Sequence, residues 1–213
     1  MQQKTIYRNI RRRDYRDIEG LLNQCLGMHH YTDSPIVLRY LLKMYLRSSL
    51  SESTYRAVAV SKGRVTGVIM GRAKRDYGRR FHGIHLFWKA WYYRLMMLFA
   101  KLNREDLKDY KKLIASYRYM IYEAEGDYDG EITLPAAEPD CWENGVCERL
   151  HSGLMEYWKQ VRAQKIYLHT DSTCAYDFYE KRGFERRKEM LIWTLRKGSI
   201  VPMSVYLYER YLK

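Results

Sequence analysis

The most constraining feature of the sequence is a strand–helix–strand pattern in its C-terminal half. Residues 131–137 form a short β-like segment, and residues 145–162 follow with apolar side chains on one face of a helix. Residues 165–170 then alternate in the manner of a strand. Parallel neighbours in a sheet need a crossover connection of this kind, usually a helix. We therefore predict that the two β segments are parallel strands of one sheet.

The other segments complete a mixed α/β chain. Strands are predicted at residues 5–11, 55–61, 64–73, 188–196 and 204–212, and helices at residues 14–26, from residue 35, and at 174–181. Two further helices, at residues 84–102 and 104–125, fall between the third and fourth strands as an insertion at residues 82–125. This order predicts a twisted mixed sheet of about seven strands flanked by helices, an α/β (α+β) fold. With only 4 Pro and 13 Gly residues there is no flexible linker, so one domain over residues 1–213 is predicted.

Positive charge is the clearest bias of the composition. The 38 Lys and Arg residues exceed the 25 Asp and Glu residues, which gives a formal charge of +13. Such a charge suits nucleic acid, a membrane surface or an anionic cofactor, and charge alone does not choose among them. No RNP-type, helix-turn-helix or zinc-finger motif accompanies it, so no nucleic-acid partner is expected. The most apolar stretch, residues 84–102, is interrupted by charged residues, so no membrane span is expected.

The four cysteines bear on the cellular compartment. Cys25, Cys141, Cys147 and Cys174 include no C-x-x-C pair, and no histidine stands at zinc-finger spacing, so no metal site is predicted. The first residues lack the apolar segment of a secretory signal. Disulfide frameworks belong to short secreted chains, so we expect a reduced, cytoplasmic protein.

A specific motif follows the second of the parallel strands. Residues 178–184 read FYEKRGF, and Ala175 stands three positions before them. This run resembles the motif N-x-x-A-x-x-F-Y-E-K-x-G-F of the GNAT N-acetyltransferase superfamily, with Ser172 in place of the asparagine. The resemblance extends over the whole order of elements, including the helical insertion. It implies the GNAT fold, with the fourth and fifth strands splayed apart, and acetyl-CoA as the acyl donor.

The resemblance also implies which residues hold acetyl-CoA. In the family the pantetheine arm pairs with the backbone of the fourth strand, which leaves Ala136 and Ala137 here, since Pro135 has no N–H. The phosphate-binding loop of the family falls on residues 142–147, where glycines and a helix N-terminus present backbone N–H groups. The implied loop contacts are Trp142, Asn144, Gly145, Val146 and Cys147, and those of the motif are Ser172, Phe178 and Tyr179.

Two catalytic roles follow from the same resemblance. Tyr179 occupies the position of the family's general acid, which protonates the departing thiolate, and the alternative is a tyrosine packed in the core. Glu131 opens the fourth strand, where several relatives carry a glutamate, and is the candidate general base. Its alternative is a solvated acid at the end of a strand. His29, His30 and His169 are further candidates for the base.

The helix at residues 84–102 carries an apolar, aromatic stripe. Its members are Ile84, Trp88, Trp91, Leu95, Leu98 and Leu102, widened by Tyr92, Met96 and Phe99. The stripe has three interpretations: a core or intersubunit contact, a substrate wall made of Trp88, Trp91 and Tyr92, or an amphipathic membrane helix. We expect it to pack against the second inserted helix or against a second copy of the chain, in a homodimer.

The leading hypothesis is an acetyl-CoA-dependent N-acyltransferase that moves an acetyl group to a primary amine by direct attack. The acceptor is a small molecule or a peptide, and the sequence leaves it open. No G-x-S-x-G or other site for a covalent nucleophile is present. The alternative is a degenerate GNAT domain that binds CoA or another ligand without turnover, because Trp142, Glu143 and Pro135 depart from the family pattern. A basic nucleic-acid-binding protein is a third hypothesis, favoured by the charge alone.

Replacing Glu143 by glycine is predicted to tighten acetyl-CoA binding. The change removes a negative charge beside an anionic ligand and frees the backbone near the pyrophosphate. One such charge contributes about 1 kcal/mol at water-like screening, roughly a fivefold change in Kd. Calorimetry on the wild type and on Glu143→Gly measures this change. Unchanged or weaker binding would show that the loop accommodates the anion in another way.

Overall fold

The computed structural model describes residues 5–77, 84–99, 107–196 and 199–212. The strands are β1 (Ile6–Asn9), β2 (Tyr55–Ser61), β3 (Arg64–Ala73), β4 (Gly130–Ala137), β5 (Lys165–Asp171), β6 (Glu185–Arg196) and β7 (Ser199–Tyr211). The helices are α1 (Tyr15–Cys25), α2 (Pro35–Glu52), α3 (Lys74–Tyr77), α4 (Ile84–Phe99), α5 (Lys108–Ala124), α6 (Asp140–Glu143), α7 (Val146–Gln160) and α8 (Asp177–Glu180). Short 3₁₀ helices at Arg12–Asp14 and Met28–Tyr31 precede and follow α1.

Within these ranges, seven strands form one mixed sheet in the order β1-β2-β3-β4-β5-β7-β6. β4 and β5 run parallel, and the other neighbouring pairs of described strands run antiparallel. α7 connects β4 to β5, and α4 and α5 lie between β3 and β4 in the chain. The predicted fold class, with its inserted helical pair, is confirmed. The extent of the domain, residues 1–213 with an insertion at residues 82–125, stays a prediction.

Element boundaries differ most from the predicted ones at the last two strands, since β6 begins at Glu185 and not at residue 188, and β7 begins at Ser199 and not at residue 204. The first strand is also shorter than predicted. β1 ends early because Asp14 accepts hydrogen bonds from the Arg8 guanidinium, at 2.6 and 2.8 Å, and from the N–H of Arg11 at 2.7 Å. These bonds turn the chain into the first 3₁₀ helix. The predicted helix positions 100–106, Leu102 among them, lie outside the described residues, as do the side chains of Ile84, Leu98 and Phe99.

The β2–β3 hairpin forms at the residues predicted for it. Lys62 and Gly63 make the turn, with φ of 54° and 76°. Both central residues of a type I′ turn need positive φ, and this turn matches the right-handed twist of the strands that it joins. The hairpin places β3 next to β4, the central strand of the sheet.

Parallel pairing between β4 and β5 is confined to the beginning of the two strands. The ladder ends where Ile132 lies opposite Leu168. β4 then continues to Ala137 and β5 to Asp171 without pairing with each other. A β-bulge in the β3–β4 ladder lies at the same level, beside Gly71, and bulges bend a strand. The predicted splay of the fourth and fifth strands is confirmed.

The sheet lies between two layers of helices. On one face α7 buries Leu154 and Trp158 completely against the central strands. On the other face α1 and α2 contribute Ile18 and Leu46 to a separate apolar cluster. α5 covers the far end of the sheet, where its Met120 packs with apolar residues of β6 and β7. The central strands are therefore buried on both faces.

The face that α4 buries is not the predicted stripe. Leu86, Ala90 and Met97 are buried, and α4 packs against α2. Trp88 and Trp91 are exposed, at 60% and 51%, so the expected packing of the stripe on the second inserted helix is wrong. The helix is apolar on nearly all sides, so periodicity does not single out one face. Close approach to α2 favours the face that carries the small side chain of Ala90.

Gly130→Ala is predicted to destabilise the fold by about 1–3 kcal/mol. A Cβ at this position would lie 2.6 Å from Nε1 of Trp158, whose ring has no room to move because it is fully buried. Gly20→Ala is the matched control, since a Cβ there meets nothing within 4 Å and alanine favours the α1 helix. Urea unfolding measures both variants, and equal stability of the two would contradict the proposed packing.

Candidate active site

A cleft of about 1380 Å³ opens where β4 and β5 splay apart. Residues of α2, of both inserted helices and of the two strands form its walls. The residues predicted for the site that line it are Glu131, Ala136, Ala137, Trp142 and Tyr179. The other predicted contacts, Asn144, Gly145, Val146, Cys147, Ser172 and Phe178, do not line it. The structure thus gathers the predicted catalytic pair and the end of β4 in one cleft and leaves most of the predicted loop outside.

Beyond Ile132, where pairing with β5 ends, the backbone N–H and C=O groups of β4 point alternately towards β3 and towards the splay. The N–H of Glu138 donates to the carbonyl of Thr66 in β3 at 2.9 Å. In an antiparallel ladder every second residue faces the partner strand, so the backbone groups of Ala136 also face β3. Those of Pro135 and Ala137 face the splay. Since proline has no N–H, Ala137 supplies the N–H donor there and Pro135 supplies a carbonyl.

Cys25, at the end of α1, contacts the same part of β4. Its thiol donates to the carbonyl of Ala137 at 3.2 Å. The side chain is half-buried and lines the cleft, and burial raises the pKa of the thiol. Cys25 is therefore a protonated donor that satisfies one carbonyl of the splayed strand. The N–H of Ala137 points away from β3 in the same direction as that carbonyl.

The predicted phosphate loop is occupied by α6 and the first turn of α7. Trp142 lies on α6, and its ring meets that of Phe178 edge-on with centroids 4.7 Å apart. Val146 and Cys147 are buried in the core, and burial raises the pKa of Cys147 to about 12. The first N–H groups of α7 have no acceptor within the helix and favour anions. Gly145 precedes them as the N-cap residue.

The remaining predicted contacts have structural partners of their own. The side-chain amide of Asn144 donates to the carbonyl of Asp140 at 2.9 Å. The N–H of Ser172 donates to the carbonyl of Ser204 at 2.8 Å, and the serine side chain is exposed. Phe178 is buried beneath the guanidinium of Arg182, 3.4 Å from the ring centroid. Arg182 is also ion-paired with Glu148, and this pair joins the turn after α8 to the first turn of α7.

Tyr179 is buried in the wall of the cleft. Only 4% of its surface is exposed, and its ring packs edge-on against Phe178 and Phe184 at centroid distances of 5.3 and 5.6 Å. The N–H of Phe184 also donates to the Tyr179 carbonyl at 3.1 Å. Burial raises the pKa of the Tyr179 phenol. The hydroxyl therefore stays protonated at neutral pH, as a proton donor must.

Glu131 lies in the cleft and not at a solvated strand end. Its carboxylate is ion-paired with Arg72, the residue opposite it in the β3–β4 ladder, and 18% of its side chain is exposed. Arg72 also donates to the hydroxyl of Tyr167 at 3.3 Å. Burial raises the pKa of Glu131, an effect that Arg72 opposes and the nearby Glu52 reinforces. A carboxylate in such surroundings is a stronger base than one in water.

One of the three candidate histidines lies in the cleft. His169 stacks on Tyr117 with ring centroids 4.6 Å apart, and its Nε2 hydrogen-bonds the Tyr117 carbonyl at 3.1 Å. Burial lowers the pKa of His169 to about 4, so the ring is neutral at pH 7. His29 and His30 belong to the 3₁₀ helix after α1 and do not line the cleft.

Several cleft residues were not found by sequence reasoning. Arg72 and Tyr167 surround Glu131, and Tyr117 reaches the cleft from α5. Arg72 opens a basic run that is typical of a solvated surface. Its register opposite Glu131 was the available signal, since an opposite charge across a ladder stabilises an acid. Tyr117 and Tyr167 had no signal, because the chain contains 21 tyrosines.

The fold resembles solved structures at low sequence identity, N-acetyltransferases among them. SsHAT matches with a TM-score of 0.63 and 15% identity over 98% of each chain. An N-acetyltransferase from Staphylococcus aureus Mu50 matches with a TM-score of 0.57 and 12% identity over 99% of each chain. The ribosomal-protein-S18-alanine N-acetyltransferase from Escherichia coli matches with a TM-score of 0.57 and 9% identity, over 99% of this chain and 95% of that one. No protein-family model and no curated protein matches the sequence.

The chain therefore has the fold of the GNAT N-acetyltransferases, as the FYEKRGF motif implied. No cluster of three or more His, Cys, Asp or Glu side chains in the described ranges could hold a metal ion. Among the helices that the structure describes, none is both long and apolar enough to cross a membrane.

Stability is predicted to fall as the pH is lowered from about 6.5 towards 4, in part through His169. The unfolded chain binds a proton at a pKa near 6.5, whereas the buried ring binds one only near 4, so protonation favours unfolding between these values. His151 is buried with a similar pKa and contributes in the same direction. Urea unfolding at several pH values should therefore show a smaller loss for His169→Gln than for the wild type.

The control for this comparison is His29→Gln, which changes an exposed histidine. It should lose stability with falling pH as the wild type does. A wild-type pH dependence in His169→Gln as well would show that His169 is protonated in the folded chain at its ordinary pKa.

Proposed function

We propose that the protein is an acetyl-CoA-dependent N-acyltransferase that transfers an acetyl group to a primary amine by direct attack. The observation that carries the proposal is the cleft at the β4–β5 splay, which is lined by Tyr179, Glu131 and Ala137, the last with its N–H facing the splay. A phenol that keeps its proton and a buried carboxylate meet the two proton requirements of acyl transfer to an amine. The similarity to solved N-acetyltransferases supports the fold on which this proposal rests.

The residues of the cleft fit an acyl-CoA donor. The N–H of Ala137 and the carbonyl of Pro135 are available to an extended amide-bearing arm, in the manner of an added strand. The N–H groups at the start of α7 are suited to the phosphates. Trp142, which lines the cleft, lies between the end of β4 and these groups in the sequence. Bound acetyl-CoA would supply an activated acetyl group as a thioester. The departing thiolate then needs one proton, and the amine must lose one.

Tyr179 and Glu131 account for these two protons. The Glu131 carboxylate accepts the proton of the acceptor's amine, which attacks the thioester carbonyl as the C–N bond forms. Its ion pair with Arg72 holds the carboxylate in place and charged. The Tyr179 hydroxyl donates its proton to the sulfur as the C–S bond breaks. The packing of the Tyr179 ring against Phe178 and Phe184 fixes the position of that hydroxyl.

The alternative function, a GNAT domain that binds CoA or another ligand without turnover, has one observation in its favour. Asn144, Gly145, Val146 and Cys147 do not line the cleft, although the resemblance assigns them to the phosphates. The identity of the amine, a cytoplasmic location and a homodimer formed through the inserted helices all stay predictions. The exposed aromatic side chains of α4 are compatible with such a dimer.

Tyr179→Phe is predicted to lower kcat by about 10²–10⁴-fold, the usual contribution of a general acid. The substitution keeps the ring and its packing, so the melting temperature and acetyl-CoA affinity should change little. Thiol release from acetyl-CoA over a panel of amines measures the rate. Tyr176→Phe is the matched control, since the Tyr176 ring packs at a tilt against that of Tyr206, with centroids 5.3 Å apart, and does not line the cleft.

Glu131→Gln should lower kcat in the same assay and weaken its dependence on pH, because the amide cannot accept the proton.

Wild-type turnover in Tyr179→Phe would make Tyr179 a packing residue. Binding of acetyl-CoA without thiol release from any amine would favour the non-catalytic alternative.

A further inference from the structure

Three cationic side chains of the inserted helices line the cleft. Arg94 comes from α4, and Lys111 and Arg118 come from α5. All three are exposed, and none forms an ion pair with an acidic residue in the described ranges. Arg94 and Arg118 both act electrostatically on Tyr110, which also lines the cleft. The cations of two different helices therefore converge on one part of the wall.

Without a bound anion, the convergence of these positive charges is electrostatically unfavourable. Like charges around a common cleft repel each other, and the low-dielectric walls of a cleft strengthen their field. Within the part of the chain that the structure describes, no acid forms an ion pair with them, although many other cations have acidic partners, such as Arg72 with Glu131 and Arg182 with Glu148. A negatively charged ligand would turn the repulsion into attraction.

Negatively charged side chains lie at the same end of the cleft. Glu52, from α2, lines the cleft and interacts electrostatically with Tyr110 and with Glu131. Tyr110 thus interacts with Arg94, Arg118 and Glu52, and Glu52 in turn interacts with Glu131. A molecule bound here meets acids on one side and cations on the other.

The acyl donor's phosphates belong at the other end of the site. Glu131 lies near the beginning of β4 and Ala137 at its end, so the two residues are about 20 Å apart along the strand. The N–H groups suited to the phosphates follow Ala137, at the start of α7. The cations lie with Glu52 and Glu131, where the proposed function puts the acceptor.

We infer that the acceptor is an amine that carries a second, anionic group, a carboxylate or a phosphate, and that Arg94, Lys111 and Arg118 bind this group. The inference rests on the proposed function, since it concerns the acceptor of the same reaction. The anionic group would direct the amine towards Glu131. The three cations are thus residues that determine specificity and take no part in proton transfer.

The test compares amines in matched pairs that differ only in the anion. O-Phosphoethanolamine against ethanolamine probes a phosphate, and L-phenylalanine against L-phenylalaninamide probes a carboxylate. Kd is measured by calorimetry in the presence of CoA, and kcat/KM by thiol release from acetyl-CoA. In at least one pair, the anionic member should have a Kd that is lower than that of its neutral partner by about tenfold or more. A hydrogen bond to a charged group contributes binding free energy of this size.

Arg118→Gln and Lys111→Gln should each abolish most of that preference and leave the KM for acetyl-CoA unchanged. Arg39→Gln is the matched control, because it removes an exposed arginine of α2 that does not line the cleft. Equal affinity for the two members of both pairs, or a preference that survives in Arg118→Gln and Lys111→Gln, would overturn the inference. An anion preference that these variants abolish, without turnover of any amine, would support the anion site and contradict the proposed function.

Discussion

The structure depends on the point at which β4 and β5 stop pairing. Up to Ile132 and Leu168 they form an ordinary parallel ladder, and beyond it each strand has one edge without a partner. Unpaired backbone groups that are buried cost free energy, so such an edge must face solvent, a side chain or a ligand. Here the thiol of Cys25 satisfies the carbonyl of Ala137, and a large cleft faces the N–H. The fold thereby creates a place for an extended, amide-bearing molecule.

The surrounding elements maintain this opening and give it chemistry. α7 packs its Trp158 against the β3–β4–β5 surface, and that packing leaves room for only a glycine at position 130. The β3–β4 register places Arg72 opposite Glu131, so the acid is charged and held at the cleft wall. α8 positions Tyr179 on the other side. The inserted helices close the cleft and contribute its cations.

Sequence reasoning was most successful where local signals and tertiary structure agree. The FYEKRGF run and the strand–helix–strand pattern led to the parallel pair, to its splay and to a cleft-lining Tyr179. It failed for α4, because a helix that is apolar on nearly all sides does not reveal which face meets α2. It also missed Arg72, whose role depends on a pairing across the sheet and not on its neighbours in the sequence. The phosphate loop was assigned from a pattern that only Gly145 matches. The residues Val146 and Cys147 are buried, and the assignment of the loop stays a prediction.

Amide hydrogen exchange at the end of β4, followed by NMR with and without CoA, tests most directly whether CoA occupies the splay. The N–H of Ala137 faces the splay and that of Ala136 faces β3, where it is already paired. Binding of CoA should therefore slow exchange at Ala137 by an order of magnitude or more and leave Ala136 nearly unchanged. If saturating CoA left the exchange of Ala137 unaltered, the ligand would not occupy the splay, and the proposed binding mode would be wrong.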